Sequence, residues 1–173
     1  MINAETKSVS SSASFLTASS ALREAVHIGA DDLPFVKRSD ASELQLLQVD
    51  LTNGLWVVRS RFKPGCRLPT HYHTGPVFAV TSKGEWSYLE YPEQINRPGS
   101  FLFEPAGSVH TLAVPEAQAG ETEVWFAIFG ANLDVDANGA VTRVVDAGTI
   151  LKSYRESCRQ AGLSAERVLV IGE

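Results

Sequence analysis

From residue 44 onward the chain alternates short apolar runs with glycine-bearing turns, and that rhythm leaves little choice of fold. "LQLLQVD" and "LWVVRSRF" flank Leu51-Thr52-Asn53-Gly54, and Asn-Gly between apolar runs is the strongest short hairpin signal. "VFAVT" and "EWSYLEY" flank a second tight turn, Ser82-Lys83-Gly84, and "LDVD" and "AVTRVVD" flank a third hairpin at Ala137-Asn138-Gly139. Between them "SFLFEP" follows Pro98-Gly99, "SVHTLAV" follows Ala106-Gly107, and "ETEVWFAIFG" reads as a longer strand with a buried middle. Short strands at this density predict an all-β sandwich or barrel of antiparallel strands. The end breaks the rhythm. "GTILKSYRESCRQAG" spaces Ile150, Tyr154 and Cys158 four apart, one helical stripe, and Gly162 suits its end, so a helix over about 148–161 is expected to pack on the strands.

A chain of 173 residues suffices for one buried core, expected over 31–173, after a Ser-rich tail and extended arm over 1–30. "SALREAVHIGADDLPFV" is read as a short helix or as part of that arm. The opening twenty residues lack a continuous apolar segment and read as a flexible tail, not a signal peptide, so a cytoplasmic protein is expected. No segment approaches the ~20 apolar residues of a membrane span. A net charge of −5 gives no basic face for nucleic acid or an anionic membrane, and neither partner is expected. Cys66 and Cys158, far apart and without spaced partners, are expected to be free buried thiols.

Chemistry concentrates in the histidines. His71 and His73 are two apart, which on a strand puts both side chains on one face, able to close on one ion. His110 is a third histidine in the β region, while His27 lies in the N-terminal segment and reads as a surface or core residue. Gly65 precedes His71 by six residues and Gly84 closes the following strand; Gly99, Pro105, Gly107 and His110 follow in fixed spacing.

That text, "GCRLPTHYH" to Gly84 and "GSFLFEPAGSVH", resembles the two cupin motifs, G-x5-H-x-H-x(3,4)-E-x6-G and G-x5-P-x-G-x2-H-x3-N. The resemblance implies a small cupin jelly-roll β-barrel with a metal held by His71, His73 and His110. Two positions depart from the motifs. Val77 or Phe78 fills the glutamate slot, and Val114 the asparagine slot. Three neutral imidazoles leave a divalent ion with nearly its full charge, a site that favours an anionic chelating ligand such as an enolate. The surrounding text is similar to the 2,4'-dihydroxyacetophenone dioxygenase family and, more distantly, to acetylacetone dioxygenase and the cupin half of ChrR-type zinc anti-sigma factors. This resemblance implies Fe(II) and O2 cleaving a carbon–carbon bond beside the carbonyl of an enolisable ketone, with a homodimer or homotetramer as the common assembly. Zinc in a non-catalytic sensor is the alternative; the first ~40 residues hold no histidine–cysteine cluster of the kind those anti-sigma factors carry.

Around the histidines, Glu104 is read as an acceptor for a ligand imidazole or for substrate, or else as a surface strand residue. Direct ligation is the less favoured role, because Pro105 and Gly107 interrupt a simple strand register. Trp86 and Tyr88 share one face of "GEWSYLEY", opposite Glu85 and Ser87; the Tyr88 hydroxyl is either a donor to substrate or a satisfied core group. Arg59, Arg61 and Arg67 are candidates to steer an anionic substrate. Phe78, Phe101, Phe103, Trp125 and Phe129 are candidates for an apolar wall around an aryl substrate.

Overall fold

The computed structural model describes residues 24–172. Most of the expected N-terminal tail therefore lies outside the described residues. Those described form thirteen strands and one helix. The first half holds β1 (Val36–Ser39), β2 (Ser42–Asp50), β3 (Leu55–Phe62), β4 (His71–His73), β5 (Val77–Lys83), β6 (Trp86–Tyr88) and β7 (Tyr91–Asn96). The second half holds β8 (Phe101–Glu104), β9 (Leu112–Ala113), β10 (Thr122–Phe129), β11 (Asn132–Val135), β12 (Val141–Val145), α1 (Ala147–Gln160) and β13 (Leu169–Ile171). One large sheet runs β1-β2-β3-β10-β5-β8, with β13 pairing β2 in parallel. Two three-stranded sheets, β12-β11-β4 and β7-β6-β9, complete the strand set.

Alternation along the strands places the core. In β3, Trp56, Val58, Ser60 and Phe62 are buried, and in β10 so are Val124, Phe126 and Ile128. Period-two patterning of this kind fixes which face points inward, because a one-residue slip would expose the whole apolar set. The Asn53-Gly54 hairpin joins β2 to β3 and the Asn138-Gly139 hairpin joins β11 to β12, both as the sequence reads. The turn at Ser82-Lys83-Gly84 differs. It hands the chain from the large sheet to β6 in a small one, so β5 and β6 do not pair. Burial is the reason: β5 alternates inward at Val77, Ala79 and Thr81 against β10 and β8, whereas Trp86 and Tyr88 turn their rings into the core from the other side.

The helix comes within a residue of the expected boundaries. Asp146 caps it, accepting from the Thr149 amide at 2.8 Å, and the Thr149 hydroxyl closes a capping box. Ile150, Leu151, Tyr154 and Cys158 face the core, and the Tyr154 hydroxyl donates to the Pro34 carbonyl at 2.6 Å. The described part of the N-terminal segment is an arm without helix: Gln45 donates to the Ala30 and Leu33 carbonyls. Cys66 and Cys158 are buried free thiols. No described helix is long and apolar enough to cross a membrane.

Gly84 sits at φ +72°, and a Cβ there would approach Thr122 Cα to 2.7 Å; Gly99, at φ +89°, has open space around it. Gly99→Ala should therefore cost only the left-handed backbone, about 1–2 kcal/mol. Gly84→Ala should add roughly 1–3 kcal/mol of overpacking. Urea unfolding of the two variants measures the difference, and equal losses would contradict it.

Candidate metal centre

Strand β4 is only three residues long, yet both its ends are imidazoles buried on one face. It is gripped on two sides. On one, β11 pairs with it in register Asp134↔His71 and Asn132↔His73. On the other, His71 and His110 exchange backbone hydrogen bonds of 3.0 and 2.9 Å, and the Gly107 amide donates to the His73 carbonyl at 2.8 Å. The segment after β8 is thereby zipped onto β4, which brings the third imidazole to the first two. Ring centroids lie 4.7–5.7 Å apart, and the three donor atoms lie within 4.8 Å of one another.

The donors suit a metal ion. His71 Nδ1 lies 2.7 Å from the Pro69 carbonyl; a carbonyl only accepts, so Nδ1 carries the proton and Nε2 presents its lone pair. His110 Nε2 and Glu104 Oε2 are buried without a hydrogen-bond partner, two unsatisfied polar atoms that coordination would satisfy; His73 Nδ1, on the far side of its ring from Glu104, is buried unpartnered as well. Burial depresses the His71 imidazole below its ordinary range, despite the opposing contact with Pro69. Burial likewise takes His73 down to about 4, although Glu104 works against it. Imidazoles that stay neutral are the form that ligates.

Glu104 completes the group. It is the last residue of β8, 3% exposed, with Oε2 3.3 Å from His73 Nε2 and 3.2 Å from His110 Nε2. Two donors each ~2.1 Å from one ion stand roughly 3.0–3.4 Å apart, so this carboxylate can share an ion with both imidazoles. Burial works to raise its pKa, but contacts with His110, Tyr88 and His73 outweigh that and hold it ionised. The glutamate slot of the first motif is apolar, and Glu104, read from the sequence as an acceptor for a ligand imidazole, lies within reach of two of them. Val77 is the direct cross-strand partner of Glu104, so β8 supplies, one strand over, the charge that residue 77 lacks. The chain breaks register only after Glu104, not before it.

Tyr88 donates its hydroxyl to Glu104 Oε1, and its ring stacks on His110 with centroids 4.2 Å apart. Burial and the Glu104 charge push its pKa upward, so it remains a donor. Trp86 stays in the core, its indole donating to Thr81 Oγ1 at 2.9 Å.

A cavity of about 300 Å³ opens over the centre. Its apolar wall is Trp56, Val58, Phe62, Leu112, Phe126 and Ile128. None of the five aromatics expected there takes part. Phe101 and Phe103 are 66% and 52% exposed, Phe78 and Trp125 are exposed too, and Phe129 is half-buried beside Phe78. They occupy the outer face of β8, β5 and β10, because inward positions alternate with them: Phe126 with Trp125, Ile128 with Phe129. Of the three arginines, Arg59 and Arg61 bind Glu123 on the outer face at 2.9 Å, and only Arg67 reaches the cavity. Arg38, Asp134 and Arg143 also line it and belong to no motif; period-two reading of "LDVD" against "TRVVD" is the available signal for the last two. His27 has no part in the centre.

Fold and centre together define a cupin: β-sheets around a histidine-rich pocket that could hold a metal ion. The family model of the ChrR Cupin-like domain matches residues 23–132, and the chain belongs to that family. A protein of unknown function with a cupin-like fold from Ralstonia eutropha JMP134 is 33% identical, with 87% of this chain and 94% of that one covered at TM-score 0.80. An RmlC-like cupin protein from the same organism is 22% identical, covering 82% and 91% of the two chains at TM-score 0.76. An acetylacetone dioxygenase from Acinetobacter johnsonii shares the fold at 18% identity, 91% and 99% coverage and TM-score 0.66. A search of curated protein sequences finds no match.

Two outcomes are expected. Glu104→Gln should weaken metal binding about 10–100-fold, and Tyr88→Phe, which keeps the ring stack, by less than tenfold, both measured by competition with a chromogenic chelator. In metal-free protein, the unfolded chain takes up a proton near the ordinary 6.5 that native His73 refuses until about 4. Stability should therefore fall as pH drops through that window, and less steeply in His73→Asn, when melting temperature is followed against pH.

Proposed function

We propose that this protein is an iron(II)-dependent oxygenase that uses O2 to cleave the carbon–carbon bond beside the carbonyl of an aryl α-hydroxyketone, of the 2,4'-dihydroxyacetophenone kind. The observation that carries the reading is one cavity that joins His71 and His73 of the three-histidine cluster, and the Glu104 carboxylate, to an apolar wall of aryl size. Bound iron(II) supplies Lewis acidity and access to O2. His71, His73 and His110 hold the centre without adding charge, and Glu104 adds one negative charge, so a divalent site is left near +1. A monoanionic enolate matches that charge; a dianionic ligand overshoots it. In this reading Glu104, steadied by the Tyr88 hydroxyl, takes the proton an α-hydroxyketone gives up on enolisation. The wall residues orient the aryl group and exclude water.

The reaction balances without an outside reductant. ArC(O)CH2OH and O2 give ArCOOH and HCOOH: the bond between the carbonyl and hydroxymethyl carbons breaks, and each fragment gains one oxygen atom. A β-diketone enolises in the same way, and the fold shared with an acetylacetone dioxygenase makes that class the companion substrate to assay.

One observation favours a second reading, a non-catalytic zinc cupin acting as a sensor. Glu104 lies close enough to two imidazoles to close a four-donor shell, as in a structural zinc site. The two readings differ in what Glu104 does: it acts on a substrate proton in one and ligates in the other. Metal analysis of protein purified without chelator, with an oxygen electrode, separates them. The oxygenase reading expects iron near one per chain, O2 uptake with 2,4'-dihydroxyacetophenone, and 4-hydroxybenzoate and formate as products. Stoichiometric zinc, with iron-reconstituted protein that consumes no O2 on any α-hydroxyketone or β-diketone, supports the sensor. His110→Ala should abolish metal binding under both.

A further inference from the structure

The cavity has a second chemical end. Across the sheet β12-β11-β4, Arg143, Asp134 and His71 are successive register partners and all three line the cavity. Directly opposed residues on neighbouring strands project to one face, about 5 Å apart, so Arg143 stands roughly 10 Å from a metal ligand on the same surface. Facing it from β1 is Arg38, partly buried, whose guanidinium donates to Ser153 Oγ of α1 at 2.8 Å. The Arg143 guanidinium is near enough to disfavour the charge on Arg38: burial is the first influence depressing Arg38 and Arg143 the next. One carboxylate, Asp134, offsets them in part: it favours the Arg38 charge and pairs with Arg143. Asp134 already accepts from Asn132 at 2.8 Å and lies 3.9 Å from Arg143; Glu43 also lines the cavity but forms no ion pair with either arginine.

Arg38 is a half-buried arginine with no ion pair among the described residues, and it stands beside a second arginine at the mouth of an apolar cavity. Such a pair is an anion receptor in search of its anion. We propose that Arg38 and Arg143 form a carboxylate-binding subsite, and that the substrate is a two-ended molecule: a chelating ketone at the metal, an aryl-sized spacer along the apolar wall, and a carboxylate held by the arginine pair. The subsite stands on its own geometry; the ketone at the other end rests on the oxygenase reading above. Fork-shaped guanidiniums from two elements select a planar, bidentate anion over a neutral phenol or ester, so this pair sets specificity and does not take part in bond cleavage.

Two measurements test the two halves separately. In the first, benzoate, a carboxylate with no chelating ketone, is titrated calorimetrically into full-length wild type, Arg38→Gln, Arg143→Gln, Arg143→Lys and His71→Ala. Binding that survives His71→Ala and weakens at least tenfold in both glutamine variants, with partial recovery in Arg143→Lys, supports the subsite. Absence of binding to wild type, or binding lost in His71→Ala and kept in the arginine variants, overturns it, since the anion would then sit on the metal. In the second, O2 uptake by the iron-loaded enzyme is compared for 4-(hydroxyacetyl)benzoate and 2-hydroxyacetophenone. A KM at least tenfold lower for the carboxylated ketone, with the preference collapsing in Arg143→Gln, supports the two-ended substrate; equal KM values in wild type overturn it. Arginine-dependent benzoate binding without O2 uptake on either ketone removes the oxygenase reading and leaves the anion subsite standing.

Discussion

The reciprocal backbone bonds between His71 and His110 hold this centre together more than any side-chain contact does. They join a strand of three residues to a segment that is barely a strand, and so link the two small sheets across the mouth of the large one. Remove that pair and His110 has no fixed distance to His71 and His73. The cost of bringing three imidazoles and a carboxylate into a buried space is large, because each loses water before it gains a ligand. Backbone hydrogen bonds can hold such a cluster because they are indifferent to the charge of the side chains they position. The imidazoles are therefore held by the backbone and not by one another.

The carboxylate shows how sheet geometry relaxes sequence constraints. Position 77 is apolar and fully buried, yet its cross-strand neighbour 104 carries the charge. Neighbouring strands put opposed Cβ atoms about 5 Å apart, close to the span across a coordination sphere. One strand spacing thus converts a residue missing from the first motif into a residue present beside the second. Tyr88 then becomes necessary, since an ionised buried carboxylate needs donors on both oxygens or an ion on one of them.

Much of this is legible in the residues alone, and what is not has physical causes. Spacing between His71, His73 and His110 reveals the three-histidine cluster because the turns that aim its members need glycine at set positions. The Asn-Gly hairpins are legible for the same reason. The Ser82-Lys83-Gly84 turn is not, because a turn encodes a reversal of direction and not which sheet receives the next strand. The aromatic wall is assigned to the wrong face: Trp125 and Phe126 are adjacent, both large and apolar, and only pairing partners decide which points inward. Arg59 and Arg61 look like Arg67 in sequence, and Glu123, more than sixty residues away, is what turns them outward.

The cavity's two ends come from different parts of the chain, and that bears on what family membership can say. His71, His73, Glu104 and His110 fall inside residues 23–132, the span that matches the ChrR Cupin-like domain. Arg143 on β12 and Ser153 on α1, which flank the opposite end of the cavity, lie beyond it. Arg38 lies within the span but on an edge strand, where substitution disturbs only one neighbour. The histidine end is therefore constrained by the motif, while the arginine end rests on one hairpin strand, one helix and one sheet edge. Elements with few partners change side chains at small cost to the core. Two proteins of this fold can keep one metal chemistry and still receive ligands of different charge, and the residues that decide between them are those the motif leaves free.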